Sequence, residues 1–359
     1  MHSLRLLVIY NHCLKGCVAT VTIKEVATRC GLSVSTVSKA LNNYSDVSEA
    51  TKGLVMRTAK EIGYHPNSLA RALKTNRTYN IGVLFADDNQ SGLTHNYFAA
   101  VLESFKSEAE RQGYDITFIN HNIGRNKMTY LEHCRYRNVD GVCLACVDFF
   151  APEVIELIAS DLPLVTIDHV FNNRTCILSD NIGGMRDLIR FVYDQGHRWI
   201  AYVHGMKSAV TESRITGFCR VMRELNLRVP PEYMVECAYH NPPSAKKAVA
   251  QILKLPVRPT CILISDDYAA LGAIEAIRSA GLKIPEDISI TGYDGIPLMQ
   301  LTSPKLTTIW QDTKRIGSEA AACLIERIEH PLTAGSGTVI VEGKLLKGET
   351  VQAIQPQEV

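Results

Sequence analysis

The chain of 359 residues lacks any apolar run of the 18 or more residues that a membrane-spanning helix requires. Its net charge is only +1, and aromatic residues make up 7% of the sequence. The sequence also contains no phosphate-binding glycine loop, no nucleophile elbow and no metal-ligand spacing. These absences argue against a membrane protein and against the common enzyme classes, so we expect neither catalysis nor a metal or cofactor.

Cysteine is present without a pattern. Eleven cysteines, an odd number with no framework spacing, are typical of reduced thiols in a cytosolic protein. The one C-x-x-C motif, Cys143 and Cys146, lies in "GVCLACVDF", a segment that predicts a buried strand. Positions three apart on a strand point to opposite faces. We therefore expect two core cysteines rather than a redox or zinc motif.

The first 20 residues only weakly resemble a leader. In "MHSLRLLVIYNHCLKGC" the apolar run covers Leu6 to Tyr10, and Lys15 precedes Cys17 where a lipidation site requires small or apolar residues. We interpret residues 1–20 as a disordered extension or as a mis-assigned start, in which case Val21 is the natural first residue.

Charge is distributed unevenly along the chain. Residues 21–78 contain nine Lys and Arg against four Asp and Glu, so this segment carries +5 while the whole chain carries +1. A basic segment joined to an acidic remainder indicates a nucleic-acid partner.

Three short helical patterns fill this basic segment. Thr22 and Glu25 form a capping-box pattern before the first, and Ser33 and Ser48 precede the others. Gly31 can adopt the left-handed turn between the first two helices, and Val37 can fill their shared core. The spacing predicts a helix-turn-helix whose second helix presents short hydroxyls and one cation to a DNA groove. A small helical bundle with an unused polar face is the alternative.

From Tyr79 onward, strand-length apolar runs alternate with amphipathic helical patterns. The ten predicted strands lie in "NIGVLFAD", "DITFIN", "DGVCLACVD", "LPLVTID", "TCILSD", "WIAYVHG", "YMVECAY", "TCILISDD", "DISITGYD" and "KLTTIWQD". This alternation predicts an α/β fold with parallel sheets covered by helices on both faces. Ten strands are many for one sheet, so we expect two lobes.

The sequence resembles the LacI/GalR repressors. The stretches that carry the resemblance are "VTIKEVATRCGLSVSTVSKALN", "IGYHPNSLARALKT", "SDNIGG", "GHRWIAYVHG", "SRITGF", "SDDYAALGAIEAI", "GYDG" and "LTTIWQD". Together they cover residues 21 to about 345 in the family's order. The resemblance implies an all-α helix-turn-helix head over 21–66, a hinge helix and linker over 67–78, and an effector-binding and dimerisation domain over 79–345.

The resemblance also implies which head residues contact DNA. Val34 and Ser35 occupy the positions that read bases in such repressors, and Lys39 stands where arginine is commoner. Asp46 is an unusual neighbour for DNA and is expected outside the footprint. The matching phosphate contacts are Thr36, Ser38 and Asn42. Leu73 matches the leucine that the family inserts into the minor groove at the operator centre.

The body resembles a periplasmic sugar-binding protein, with a ligand cleft between two lobes. The lobes are expected at about 79–195 with 311–340, and at about 196–310 with 341–359. Arg214 and Asp294 match residues that hold the effector, and Asp266 matches a position that often reaches it, while Asp267 caps the following helix. The other expected contacts are Gln311 on the last crossing strand and the aromatic residues Tyr97 and Phe98.

The effector remains open at this level. In "ADDNQSGLTHNYF", His95 and Asn96 stand where the family has Asn-Pro, which alters one edge of the pocket. An arginine with several carboxylates suits a polyhydroxylated ligand better than a purine, because each hydroxyl both donates and accepts. We therefore expect a sugar or sugar derivative.

The expected function is transcriptional regulation in the bacterial cytoplasm, as a homodimer on a palindromic double-stranded operator. Repression relieved by the effector is favoured over co-repression or activation, and no membrane contact is expected. The alternative is a soluble sugar-binding receptor without DNA activity. No leucine heptads for an added coiled coil are visible.

Overall fold

A computed structural model describes residues 21–65, 77–86, 93 and 96–355. The chain divides into two compact units, Met1–Thr78 and Tyr79–Val359, which we call the head and the body and describe separately. The predicted extension over residues 1–20, most of the hinge segment 67–78 with Leu73, and His95 lie outside the described residues.

The head has the three helices that its sequence predicts. They are α1 (Ile23–Cys30), α2 (Val34–Leu41) and α3 (Glu49–Glu61). Gly31 ends α1 in the left-handed region, with φ of 65°, and its N–H donates to the carbonyls of Ala27 and Thr28. One small core joins the helices: Val26, Ala27, Val37, Ala40, Val47, Val55 and Ala59. The pattern therefore folds as a helix-turn-helix closed by a third helix.

The body alternates strands and helices. Its helices are α4 (Asn96–Arg111), α5 (Tyr130–Arg137), α6 (Pro152–Ala159), α7 (Asn181–Asp194), α8 (Ala209–Glu224), α9 (Pro242–Ile252), α10 (Asp267–Ser279) and α11 (Thr313–Glu329). Its strands are β1 (Asn80–Phe85), β2 (Asp115–Phe118), β3 (Asn122–Ile123), β4 (Asn126–Lys127), β5 (Gly141–Ala145), β6 (Leu164–Ile167), β7 (Thr175–Ser179), β8 (Ile200–His204), β9 (Met234–Glu236), β10 (Cys261–Ile264), β11 (Ser289–Thr291), β12 (Thr308–Trp310), β13 (Thr338–Val341) and β14 (Lys344–Leu346). None of the described helices has the length and apolar character needed to cross a bilayer.

Lobe 1 is built on a parallel six-stranded sheet with the order β13-β7-β6-β5-β1-β2. Helices α4 and α11 pack against each other and cover one face, where Phe105 and Leu324 are buried. Helices α5 and α6 cover the other face around Leu144 and Leu157. The central strands are buried on both faces, which explains their nearly continuous apolar sequences.

Lobe 2 has the same three-layer construction on a smaller scale. Its parallel four-stranded sheet has the order β11-β10-β8-β9. Helices α9 and α10 cover one face, and α7 and α8 cover the other. All ten strands predicted from the sequence are present, and β3, β4, β13 and β14 are additional short strands that the sequence analysis did not predict.

The sequence-based boundary between the lobes near Gln195 is wrong. Met185, Leu188 and Ile189 of α7 pack against Tyr202 and Phe218 of lobe 2. The chain therefore crosses from lobe 1 to lobe 2 before α7, next to Asp180, and α7 belongs to lobe 2. An amphipathic helix does not reveal from its own sequence which of two sheets it covers.

The second and third crossings follow β12 and β13. Strand β12 pairs antiparallel with β14, so the returning chain lies beside the chain that leaves lobe 2. Between these two crossings, α11 is held tightly against α4. A Cβ atom on Gly317 of α11 would lie 2.1 Å from the carbonyl oxygen of Val101 in α4. Only glycine permits this approach between the two backbones.

Candidate DNA-reading helix and effector cavity

Helix α2 is fixed at its N-terminus by Ser33. The Ser33 side chain accepts a hydrogen bond from the N–H of Thr36 at 3.0 Å, and the two hydroxyl oxygens lie 2.9 Å apart. Behind the helix, Val37 is fully buried in the head core. These contacts set which side of α2 faces outward.

The described candidates for DNA contact all lie on or next to the outer side of α2. Val34 is 40% exposed, and Ser35 is also exposed. The amide of Asn42 donates to the Ser38 carbonyl at 2.7 Å, and the ammonium of Lys39 lies 2.5 Å from Asp46 Oδ2. Val34, Ser35 and the side chain of Lys39 are thus all accessible. Thr36 and Ser38 are half-buried.

The body contains a cavity of about 230 Å³ lined by residues from both lobes. Its walls follow the carboxyl ends of strands in both sheets, which is the usual ligand position in open α/β folds. Of the residues predicted from sequence, five line it: Tyr97, Phe98, Arg214, Asp294 and Gln311.

Arg214 is the central cation of the cavity and is 3% exposed. It extends from α8, and its Nε donates to Asn181 Oδ1 at 2.7 Å while Nη1 donates to the Ser265 carbonyl at 2.8 Å. Its guanidinium carbon lies 3.6 Å from the centre of the Tyr293 ring. With three fixed partners, the guanidinium is held in place before any ligand binds.

Asp294 lies opposite this guanidinium, with its Oδ1 3.9 Å from Arg214 Nη2. The side-chain amide of Gln311 donates to the same carboxylate oxygen at 2.7 Å. Burial raises the pKa of Asp294 well above its usual range, and the charge of Arg214 opposes that shift. Asp294 has φ of 114°, a backbone conformation that residues other than glycine rarely adopt. Arg214, Asp294 and Gln311 form what we call the polar triad.

The roles expected for Asp266 and Asp267 are both wrong, because Asp266 is the helix cap and neither carboxylate lines the cavity. Asp266 caps α10, with its Oδ1 accepting from the N–H of Ala269 at 2.8 Å, and it does not line the cavity. Asp267 accepts from the Thr308 hydroxyl at 2.6 Å and from the Ile296 N–H at 2.8 Å. Burial raises the pKa of Asp267 to about 7. In "SDDY" the helix begins at Asp267, one residue earlier than a cap at Asp267 would require, so the first carboxylate becomes the cap.

Lobe 1 supplies an aromatic wall to the cavity. It also supplies one carboxylate, that of Asp168, which the sequence analysis did not predict. Tyr97 and Phe98 meet edge to face at 5.0 Å, and the rings of Phe149 and His169 are stacked at 4.5 Å. Asp168, which follows β6 with φ of 64°, also lines the cavity. Burial raises its pKa to about 6. The signal in the sequence was its place after "LVTI", directly at a strand end.

Cys146 is not the core residue that its sequence predicts. Cys143 is fully buried within β5, but Cys146 follows the strand, has φ of 53° and lines the cavity. The strand ends at Ala145, so the expected alternation does not extend to Cys146. None of the nine cysteines in the described part of the chain forms a disulfide.

Across the described residues, no group of three His, Cys, Asp or Glu side chains is arranged to hold a metal ion. The carboxylates of the cavity instead pair with Arg214 and with hydrogen-bond donors.

Two family models match the chain. "Bacterial regulatory proteins, lacI family" matches residues 22–67, and "Periplasmic binding protein-like domain" matches residues 189–351. The HTH-type transcriptional repressor PurR of Pasteurella multocida is 34% identical over 314 residues, which cover 86% of this chain and 92% of the relative. PurR of Vibrio vulnificus is also 34% identical, with the same coverage.

Solved structures share the architecture. The lac repressor dimer bound to operator and the anti-inducer ONPF superposes with a TM-score of 0.78 at 24% identity, covering 93% of this chain and all of that one. A LacI family regulator from Enterococcus faecium with bound ribose gives a TM-score of 0.66 at 23% identity, covering 77% of this chain and all of that one. A helix-turn-helix head, a two-lobed body with a cavity and relatives of this identity together show that the chain belongs to the lacI family of DNA-binding transcriptional repressors with an effector-binding domain.

Proposed function

We propose that the protein is a homodimeric repressor of the bacterial cytoplasm and nucleoid, and that it binds a palindromic operator under the control of a sugar or sugar derivative. The observation that carries the effector assignment is the polar triad. Arg214 and Asp294 are more than nine-tenths buried, yet both line a cavity of about 230 Å³. Burying an arginine and a carboxyl group costs desolvation energy, so their retention in a cavity wall supports a binding role.

The chemistry of the cavity fits a polyhydroxylated ligand. Arg214 supplies only donors, the Asp294 carboxyl group supplies acceptors, and the Gln311 amide supplies both. A hydroxyl group can pair with each of them. The aromatic wall of Tyr97, Phe98 and Phe149 offers an apolar surface for the C–H face of a sugar ring. The ribose bound by the Enterococcus faecium regulator is consistent with this class.

In this proposal Val34, Ser35 and Lys39 read bases, and Thr36, Ser38 and Asn42 contact phosphates. Leu73 is proposed to insert into the minor groove from the hinge. Two heads are needed because one helix-turn-helix reads only half of a palindromic site. Effector binding is proposed to change the angle between the lobes and thereby the operator affinity.

The test combines ligand binding with DNA binding. Thermal shift of the full chain against sugars, polyols, sugar phosphates, nucleobases and nucleosides identifies the effector, since a ligand at 100 times its Kd stabilises by about 2.7 kcal/mol. Arg214→Ala is expected to lose the shift, while Arg223→Ala, an exposed arginine on the same helix, retains it. The hit must also change the affinity for an operator selected from random duplexes. Stabilisation by nucleobases or nucleosides alone contradicts the sugar assignment, and absence of DNA binding favours the receptor alternative.

A further inference from the structure

Asp46 is an acidic side chain placed next to the reading helix. It lies in the segment between α2 and the Ser48 cap of α3, and its Oδ2 is 2.5 Å from the ammonium of Lys39. Both side chains remain accessible, Lys39 at 41% and Asp46 at 54% exposure. The pair therefore sits on the surface of the head and not in its core.

The two side chains of this pair interact with DNA in opposite ways. Phosphates attract the ammonium and repel the carboxylate. The hydrogen bond from Lys39 lowers the pKa of Asp46, and the same bond raises the pKa of Lys39, so both groups are charged at neutral pH. An exposed ion pair contributes little to stability. Its position beside the proposed base readers therefore calls for a role other than stabilising the fold.

We propose that Asp46 is a positioning residue for operator recognition, which masks the charge of Lys39 until a correct base edge competes for it. This inference rests on the proposed role of Lys39 as a base reader. On non-specific DNA the paired Lys39 contributes no phosphate contact, so binding there is weaker. At the operator, acceptors on a base edge replace the carboxylate. Asp46 thereby raises the ratio of specific to non-specific affinity.

We predict that Asp46→Asn in the full-length protein changes both the affinity for DNA and its salt dependence. Unmasking Lys39 adds about one phosphate contact on scrambled duplex, and the slope of log K against log salt steepens by about 0.9. Affinity for scrambled duplex rises several-fold, and affinity for an operator selected from random duplexes rises less. Fluorescence anisotropy over a range of salt concentrations measures both affinities and both slopes.

Two further variants separate masking from general charge. Glu61→Gln removes one negative charge from an exposed position at the end of α3 and serves as the matched control. Lys39→Met removes the group that Asp46 acts on, so Asp46→Asn should have no further effect in that background. Circular dichroism confirms that each variant folds.

The outcomes distinguish this inference from the function on which it rests. A steeper slope for Asp46→Asn that Lys39→Met abolishes supports the proposal. Equal effects of Asp46→Asn and Glu61→Gln, or an effect that persists with Lys39→Met, overturn it while leaving operator recognition intact. If Lys39→Met leaves operator affinity unchanged, both the inference and the assignment of Lys39 as a base reader are wrong.

Discussion

Gln311 donates a hydrogen bond at 2.7 Å to Asp294 across the point where the chain leaves lobe 2 for lobe 1. Two backbone bonds reinforce the contact: the Asp294 N–H donates to Ile309 at 2.8 Å, and the Gln311 N–H donates to Asp294 at 3.1 Å. Asp294 follows β11, and Gln311 follows the crossing strand β12. A ligand that contacts Asp294 therefore acts directly on a segment that connects the lobes.

Gln311→Leu should destabilise the body and weaken effector binding. The substitution leaves a buried carboxylate oxygen of Asp294 without its amide donor, which costs about 1–3 kcal/mol. Urea denaturation measures this loss. Gln251→Leu, at an exposed position near the end of α9, is the control and should change stability little. Equal stability of Gln311→Leu and the wild type would show that the hydrogen bond makes no net contribution to the free energy of unfolding.

Ser33→Ala should weaken operator binding through the reading helix. Ser33 caps α2 and Ser48 caps α3 by the same kind of bond, at 3.0 and 3.2 Å from their backbone donors. Removing either cap costs about 1 kcal/mol of stability. Only Ser33→Ala frays the first turn of α2, where Val34 and Ser35 lie, so its operator affinity should fall more. Anisotropy titrations of both variants compare them, and similar losses would rule out a special role for the α2 cap.

His197 should make the body less stable at mildly acidic pH. Its ring nitrogens contact the Thr260 hydroxyl at 2.9 Å and the Gln352 carbonyl at 3.1 Å, and burial lowers its pKa to about 4. The imidazole of His197 in the unfolded chain takes up a proton at about pH 6.5. The free energy of unfolding is therefore unaffected by this residue above that pH. It then falls by about 3 kcal/mol as the pH drops to about 4.

Comparison with His197→Gln isolates this contribution. The variant keeps a side-chain donor and has no titrating ring, so its stability should fall less between pH 6.5 and 4. Urea titrations followed by tryptophan fluorescence are suitable because Trp199 lies two residues away. Parallel profiles of stability against pH for the two proteins would show that protonation of His197 is not coupled to unfolding.

Gly317→Ala should destabilise lobe 1 by about 1–3 kcal/mol, as overpacking does in a tight core. The new Cβ atom would clash with the Val101 carbonyl unless α4 and α11 separate. Gly335→Ala adds the same methyl group where no atom lies within 4 Å and should be close to neutral. Thermal unfolding of the two variants makes the comparison. A Gly317→Ala protein as stable as Gly335→Ala would show that the two helices can move apart at no cost.

Local patterns in the sequence predict the elements well. Capping residues, the glycine turn and apolar spacing predict the positions of α1 to α3. The buried strands appear in the sequence as apolar runs, in their order along the chain. The resemblance to a family predicts Arg214, Asp294 and Gln311 as site residues, and the structure places all three in the cavity wall. Other features depend on contacts between segments that no local pattern encodes. These are the sheet that α7 covers, the hydrogen bond from Thr308 to Asp267, and the ion pair of Lys39 with Asp46.

The edge strand of lobe 1 has a consequence for biosynthesis. Strand β7 is covered at its outer edge by β13, and the sheet face beneath it is covered by α11, both of which follow most of lobe 2 in the chain. A nascent chain that has emerged only as far as β12 therefore carries a lobe 1 with one open edge and one apolar face that only α4 covers. Open edges and exposed apolar surface promote aggregation. Lobe 2, apart from its last segment, can fold earlier. We expect lobe 1, although it begins first in the sequence, to be completed only after most of lobe 2 has been synthesised.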